Sequence, residues 1–380
     1  MDEARSTLGV EVIRALDRPL EEAQPLPATV YTEEAFARLE NERLFPKLWL
    51  PVGGLHEVPH PGDGFPMSLA GRPVLVLRDD RGAVRAFYNA CRHRGTRLIG
   101  KPCRRRSNIR CPYHAWTYGL DGRLLSAPHF DGFGQMSLSG RNKEEFGLVE
   151  IRCETWHQWI FVNLDGKAAP LSSYLGSFAD HYRDYDFSLL RHGKRLSFEV
   201  EANWKLLVEN YVEALHIPTV HPKYNDYGPF QDYATVADGH CLGTVIEVGY
   251  PDDWKSPLST FPGLPERWRL GTRNLLLFPY FTMVAAPDHV LTSLLIVRSP
   301  DSIVWQKDFY FIGEAASDAQ FDAAREAVIS YYREIIEQDV SLLTAWQAGL
   351  AAKEAGPGLF SPAFEQATWR FQQLVANYIG

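Results

Sequence analysis

The sequence predicts an α+β protein, with a small all-β unit set inside a body that mixes strands and helices. Three observations carry this expectation. Short β-branched and aromatic runs, separated by dense turn signals, fill the stretch from Trp49 to about Asp165. Strand-like runs alternate with amphipathic helical segments after it. Helical patterns open and close the chain. The expected division is a helical N-terminal segment 1–46 packing on the third unit, an all-β unit 47–165 and a mixed unit 166–380.

The elements follow in order. The lead-in breaks at Pro25 and Pro27, and a second helix is expected from about Thr32 to Leu44. Thr32 suits an N-cap, with Glu33 and Glu34 in the first turn. PVLVLRD (73–79), VRAFYNA (84–90) and WIFVNLD (159–165) read as strands, punctuated by Gly62-Asp63-Gly64, Asp80-Arg81-Gly82 and Asp121-Gly122. RLSFEVEAN (195–203) reads as a strand running straight into a helix over 204–216. Single strands are expected at 243–250, 275–286, 289–299 and 304–313, and helices at about 317–350 and 361–378.

Composition bounds the function. The chain has 380 residues, 45% apolar and 23% charged, which suits two or three globular domains. A net charge of −8 gives no general attraction to nucleic acid or an anionic membrane. No apolar run is long enough to cross a bilayer, and the acidic N-terminus lacks a secretory pattern. Five scattered cysteines do not staple a fold of this size, so a cytoplasmic location is expected, and paired Cys and His then point to metal.

Two constellations carry chemistry. The first is Cys91-x-His93 and Cys111-x2-His114, with 17 positions between the pairs. One thiolate and one imidazole per loop fit a tetrahedral zinc site or a two-iron cluster with both Cys on one iron and both His on the other. Cys and His alternate within each pair, whereas zinc fingers usually pair Cys with Cys, and this favours the iron–sulfur reading. Cys103, Cys153 and Cys241 match no ligand spacing.

The second constellation is Glu213-x2-His216-x4-His221. On a continuous helix Glu209, Glu213 and His216 fall within about 60° of one another, opposite a core stripe of Trp204, Leu207, Val208, Tyr211 and Leu215. A solvated surface is the plain alternative for that polar face. Pro218 breaks the helix and lets His221 swing back beside His216. Two His and a carboxylate make a facial triad for non-haem Fe(II). Asp339 sits inside the apolar face marked by Ile335, Ile336, Val340 and Leu343, while Glu334 and Glu337 point away. A buried carboxylate there calls for a cation or a strong donor.

These residues resemble the α subunit of Rieske non-haem iron ring-hydroxylating oxygenases. The likeness spans about Trp49 to Gly349 and rests on NACRHRGTRL, CPYHAWTYGLDGRL, WIFVNLD, the NWK-x3-EN helix entry, Glu213-x2-His216-x4-His221 and the EQD…QAG tail. It implies an all-β Rieske [2Fe-2S] domain joined to a helix-grip (START-like) catalytic domain with a large antiparallel sheet. It further implies trimers of α subunits, some with added β subunits. Cys91 and Cys111 would hold one cluster iron and His93 and His114 the other, with His216, His221 and Asp339 on the mononuclear iron. Glu213 would be a bridging carboxylate bonded to His216 and to His114 of the partner subunit, and Asn210 an amide near the iron.

Dihydroxylating members generally carry Asp at the bridging position, where this chain has Glu213. Glu-x2-His with NWKLLVENY resembles instead the branch that oxidises choline, betaines and carnitine. The implied activity is that of a terminal oxygenase that uses dioxygen and electrons from a separate ferredoxin or flavin reductase to hydroxylate or oxidatively demethylate a small organic molecule. The alternatives are an aromatic-ring cis-dihydroxylating dioxygenase and a non-catalytic Rieske electron-transfer protein. No G-x-G-x-x-G fingerprint is present, so NAD(P)H is expected to act only through the reductase. The basic run from Lys101 to Arg106 is either a steering patch for an acidic redox partner or a solvated loop.

Overall fold

The computed structural model describes residues 8–136, 138–247, 255–352, 356 and 358–379. The chain divides into two compact units, one of residues 45–171 and one combining the chain up to Leu44 with residues 172–380.

The first unit carries β1 (Trp49–Gly54), β2 (Gly64–Leu69), β3 (Arg72–Arg78), β4 (Val84–Tyr88), β5 (Ile109–Arg110), β6 (Thr117–Tyr118), β7 (Leu124–Ser126), β8 (Glu150–Trp156) and β9 (Trp159–Asn163). Six form an antiparallel sheet in the order β1-β9-β8-β4-β3-β2, and β5-β6-β7 make a small second sheet. Ala70 and Gly71 both adopt positive φ in the two-residue β2–β3 turn, whose twist matches that of the flanking strands. The core joins Leu75, Leu77 and Phe87 of the large sheet to Ile109, Tyr118 and Leu124 of the small one. Cys91 and Cys111 lie in that same core.

The second unit carries β10 (Leu190–Val200), β11 (Ala234–Asp238), β12 (Cys241–Ile246), β13 (Thr272–Leu277), β14 (Phe281–Ala285), β15 (His289–Ser299) and β16 (Ser302–Ile312). They form one antiparallel sheet ordered β10-β16-β15-β14-β13-β12-β11. A 28-residue helix, Asp322–Gly349, packs Ile329 onto Phe309 and Phe311 of β16.

Four expectations are corrected. The apolar run 275–286 is a β13–β14 hairpin, because the chain turns at Phe278-Pro279. Thr32 is not an N-cap: it ends a short turn, Thr29–Thr32, and its hydroxyl donates to the Ala28 carbonyl. The next helix starts at Glu34 after an extended Glu33, and passes into a π-type turn over Glu40–Leu44. The helix expected over 204–216 ends at Tyr211. For the strand expected over 243–250, β12 accounts for residues up to Ile246, and 248–250 lie outside the described residues.

The helix Trp204–Tyr211 is tied down by buried polar contacts. Asn203 caps it by accepting from the Lys205 amide at 3.0 Å, and its side chain donates to the carbonyls of Tyr31 and Pro300. Lys205 pairs with Glu40, which also accepts from the Trp204 indole at 2.9 Å. Glu209, expected on the polar face, is buried and accepts from Tyr31 Oη at 2.7 Å and Gln372 Nε2 at 3.0 Å. Burial pushes its carboxyl up to about 7 against those bonds. Leu215, placed in the core stripe by the helical wheel, is 40% exposed, because the helix has ended before it.

Candidate metal centres

The four Cys/His residues of the first unit lie on two loops with one backbone design. In the first, Cys91 N–H donates to Thr96 O at 2.8 Å and Gly95 N–H to Cys91 O at 2.8 Å. In the second, Cys111 N–H donates to Trp116 O at 2.8 Å and Ala115 N–H to Cys111 O at 3.1 Å. Gly95 and Ala115 hold equivalent positions, both at positive φ. A non-glycine residue held there is strain stored at a site the surrounding structure fixes.

These loops bring the four candidate ligands together in like pairs. Both thiols are buried, and the Cys111 thiol adds to the rise of the Cys91 thiol that burial begins. The His93 and His114 rings stand 4.8 Å apart. His93 stacks on Trp116 at 4.9 Å and Tyr113 covers His114 at 3.7 Å. Tyr118 Oη accepts from the Arg92 amide at 3.0 Å, leaving its proton to face Cys91 Sγ at 3.2 Å. That proton favours a thiolate, while burial pushes the thiol up. Burial, then the charge of His114, lowers His93, which keeps its imidazole neutral and able to bind metal. His114 Nδ1 is buried without a hydrogen-bond partner among the described residues. An orphaned imidazole nitrogen opposite a second imidazole, beside two buried thiols, fits a cluster with a sulfur side and a nitrogen side.

In the second unit, the chain leaves its helix at Val212 and forms a turn held by Glu213. Glu213 Oε2 accepts from the Leu215 and His216 amides, and Oε1 accepts from His216 Nδ1 at 2.6 Å. The break therefore comes before Pro218, not at it. Pro218 and Pro222 lie in the first turns of the short helices Ile217–Val220 and Pro222–Tyr227, where a missing N–H costs nothing. His221 sits at their junction, and its ring comes within 5.2 Å of the His216 ring.

Asp339 completes the group from the long helix. Its Oδ1 lies 3.0 Å from His221 Nε2 and 4.0 Å from His216 Nε2. The three ligand atoms fall within 4.8 Å of one another. Glu213 holds the Nδ1 side of His216, and the amide oxygen of Gln338 holds that of His221 at 2.7 Å. Both imidazoles thus turn Nε2 to the carboxylate, which is the donor set of a facial triad. Burial disfavours the charged form of His221, but the bond and charge of Asp339 outweigh it and raise its pKa. Asp339 is 7% exposed, whereas Glu334 and Glu337 lie at the surface.

A cavity of about 90 Å³ adjoins the triad, lined in part by Asn210, Tyr211, Tyr224, Trp305 and Lys307. A second, of about 350 Å³, shares Tyr224, Tyr233 and Tyr332 with it. Gln338 and Lys307 are among the site residues that sequence reasoning missed, with the aromatic lining of Tyr224, Tyr233, Trp305 and Tyr332. Gln338 stood next to Asp339 in the EQD tail. Lys307 interrupts the alternate row Trp305, Phe309, Phe311 of β16, which was its available signal. Burial pushes the Lys307 ammonium down to about 7, with Asp339 opposing.

Comparison with known proteins decides the family. The family described as "Ring hydroxylating alpha subunit (catalytic domain)" matches residues 187–380, and "Rieske [2Fe-2S] domain" matches residues 48–137. The chain belongs to the ring-hydroxylating oxygenase α-subunit family. This α subunit is the terminal oxygenase of a Rieske system, with a [2Fe-2S] cluster and a mononuclear iron as cofactors and electrons supplied by a separate reductase. It is 27% identical over 371 residues to the carnitine monooxygenase oxygenase subunit of Acinetobacter baumannii, covering 94% of this chain and 95% of that protein. The chloroplastic choline monooxygenase of Atriplex hortensis is 28% identical over 361 residues, covering 93% and 77%. The α subunit shares its fold with a quaternary ammonium Rieske monooxygenase (TM-score 0.81, 24% identity, 97% and 98% covered). It shares it also with the naphthalene 1,2-dioxygenase of Rhodococcus sp. (TM-score 0.75, 22% identity, 98% of both chains). No helix among the described residues is long and apolar enough to cross a membrane.

Proposed function

We propose that this α subunit monooxygenates a quaternary ammonium compound, by hydroxylation or oxidative N-demethylation. The observation that carries the reading is the joining of the His216–His221–Asp339 group to a cavity lined by Tyr224, Tyr233 and Tyr332. Aromatic faces attract alkylammonium groups and keep water from the reacting carbon. The curated relatives named for carnitine and choline support the same substrate class.

In this reading His216, His221 and Asp339 hold the mononuclear iron, while Cys91 with Cys111 and His93 with His114 hold the two cluster irons. When bound, the mononuclear iron supplies dioxygen activation and the cluster supplies single electrons. The chain's own residues prepare that chemistry. Glu213 and Gln338 keep the protons of His216 and His221 on Nδ1, so that each Nε2 presents a lone pair. Asn210 faces the same cavity. Glu213 is also the carboxylate through which His216 would meet His114 of the partner subunit in a homotrimer. Exposed Leu215, Trp346 and Leu359 support burial of this face by a second chain. A cytoplasmic location suits the five free cysteines.

The test is turnover with labelled dioxygen, a reductase and trimethylammonium substrates, alongside an iron count. Three irons per chain and one labelled oxygen atom per product are expected. Two labelled atoms in a cis-diol from an arene, with no turnover of ammonium compounds, would establish the dioxygenase instead.

A further inference from the structure

The cavity beside the triad already contains a basic side chain. Lys307 lies on β16 between Leu196 of β10 and Ser293 of β15, and is 3% exposed. Its ammonium stands 4.5 Å over the Trp305 ring and 5.4 Å over the Tyr211 ring. Those two aromatic faces are therefore taken by the protein's own charge. The Ser293 hydroxyl is engaged too, accepting from Trp305 Nε1 at 3.0 Å and from Thr282 at 2.5 Å.

The acidic and basic side chains lining the cavity among the described residues are Glu213, His216, His221, Asp339 and Lys307. Glu213 is committed to His216 and to two amides, and Asp339 belongs to the triad. A buried amine beside the triad holds its proton firmly only when an anion comes against it.

We propose that Lys307 is a specificity-determining residue that binds a carboxylate of the substrate, so that the enzyme selects ammonium carboxylates over ammonium alcohols. The inference rests on the quaternary ammonium reading and narrows it. The carboxylate lies against Lys307, and Tyr224 and Tyr233, which line the same cavity, receive the trimethylammonium end. A substrate carrying only positive charge meets a like charge in a confined, poorly solvated space and is rejected.

The experiment is calorimetric binding to the iron-loaded protein. Four probes of matched shape are used: glycine betaine, choline, and their uncharged-carbon isosteres 3,3-dimethylbutanoate and 3,3-dimethylbutanol. Glycine betaine should bind at least ~tenfold tighter than choline, the discrimination of one charge-assisted contact. Lys307→Met should erase that preference, and Lys307→Arg should retain it; the cluster's visible spectrum and the iron count confirm that each variant is folded and loaded. Choline bound as tightly as glycine betaine by the wild type, no binding of either carboxylate, or an unchanged preference in Lys307→Met would each overturn the assignment. Binding of choline alone removes the carboxylate contact but leaves the quaternary ammonium reading standing. Binding of 3,3-dimethylbutanoate with neither ammonium compound does the reverse.

Discussion

Lys205→Met should be one of the most damaging single changes outside the metal ligands, although methionine fits the space of a lysine stem. Lys205 and Glu40 form an ion pair with side chains only 1% and 3% exposed. Glu40 also accepts from the Trp204 indole, and the ammonium lies 5.4 Å from the Tyr31 ring centre. Removing the lysine leaves a buried carboxylate with one neutral donor, a change that costs about 3–5 kcal/mol. For a unit of this size that is a fall in Tm on the order of 10 °C. Glu40→Gln alone strands the ammonium and should cost a similar amount. The double variant should recover most of the loss, since the amide oxygen introduced by Glu40→Gln can still accept from the Trp204 indole and no buried charge remains. The coupling read from the cycle should reach at least ~2 kcal/mol. Urea unfolding of the iron-loaded proteins, followed by circular dichroism, measures all four corners. Iron content at the triad is a second readout, because the helix Trp204–Tyr211 delivers the chain to Glu213 and His216. Single variants within about 1 kcal/mol of wild type, or losses that simply add in the double variant, would refute the claim that this pair anchors the helix leading to the triad.

The remaining predictions are briefer. Asp339→Ala should lose the mononuclear iron and all turnover while the cluster spectrum persists, and Glu337→Ala should change neither; iron analysis and oxygen uptake compare them. Glu213→Gln replaces an acceptor by an amide N–H₂ in a turn that offers only donors, so iron affinity should fall ~10–100-fold. Once both sites are loaded, single-turnover reoxidation of the pre-reduced cluster should slow, and a wild-type rate would remove Glu213 from the electron path. Asp308 is bonded by Arg195 at 2.8 and 2.7 Å and by His192 at 2.8 Å, which together hold it down from 3.8 to about 2 against burial. A depressed carboxyl stabilises the fold above its unfolded pKa, and that stabilisation fades as pH falls through about 2. Asp308→Asn should therefore cost roughly 2 kcal/mol at pH 7 and about half of that at pH 3, measured by urea midpoints; a cost independent of pH would sink the ionic account.

Ligands were legible where the chain holds them close together in sequence. Cys91 with His93, and Cys111 with His114, each sit on one short loop, so spacing exposed both halves of the candidate metal site without deciding the metal. Asp339 was found because a carboxylate inside an apolar helical face is costly unless something binds it. The errors share a physical cause. The helix was expected to run on past Tyr211 because VEALH contains no glycine or proline, yet Glu213 ends it by drawing two backbone amides onto its side chain. Glu209 looked like a surface residue because its partners, Tyr31 and Gln372, lie 178 and 163 positions away.

Lys307 was harder still. Its strand, VWQKDFYFI, gives away neither its register nor which face meets the long helix, and charged residues at a strand's outward positions are ordinary. Asp308, one residue on, is buried on the other face and pairs across the sheet with Arg195, directly opposite. The two adjacent charges thus point to opposite faces and do different work. Asp308 is matched by the fold itself, so its charge contributes to stability. Lys307 has aromatic rings around it, and burial pushes it down to about 7, so a ligand anion is what would secure its proton. A buried amine whose charge the fold does not secure is a better guide to what a pocket recognises than the pocket's shape, and the partner we propose for it is a substrate carboxylate.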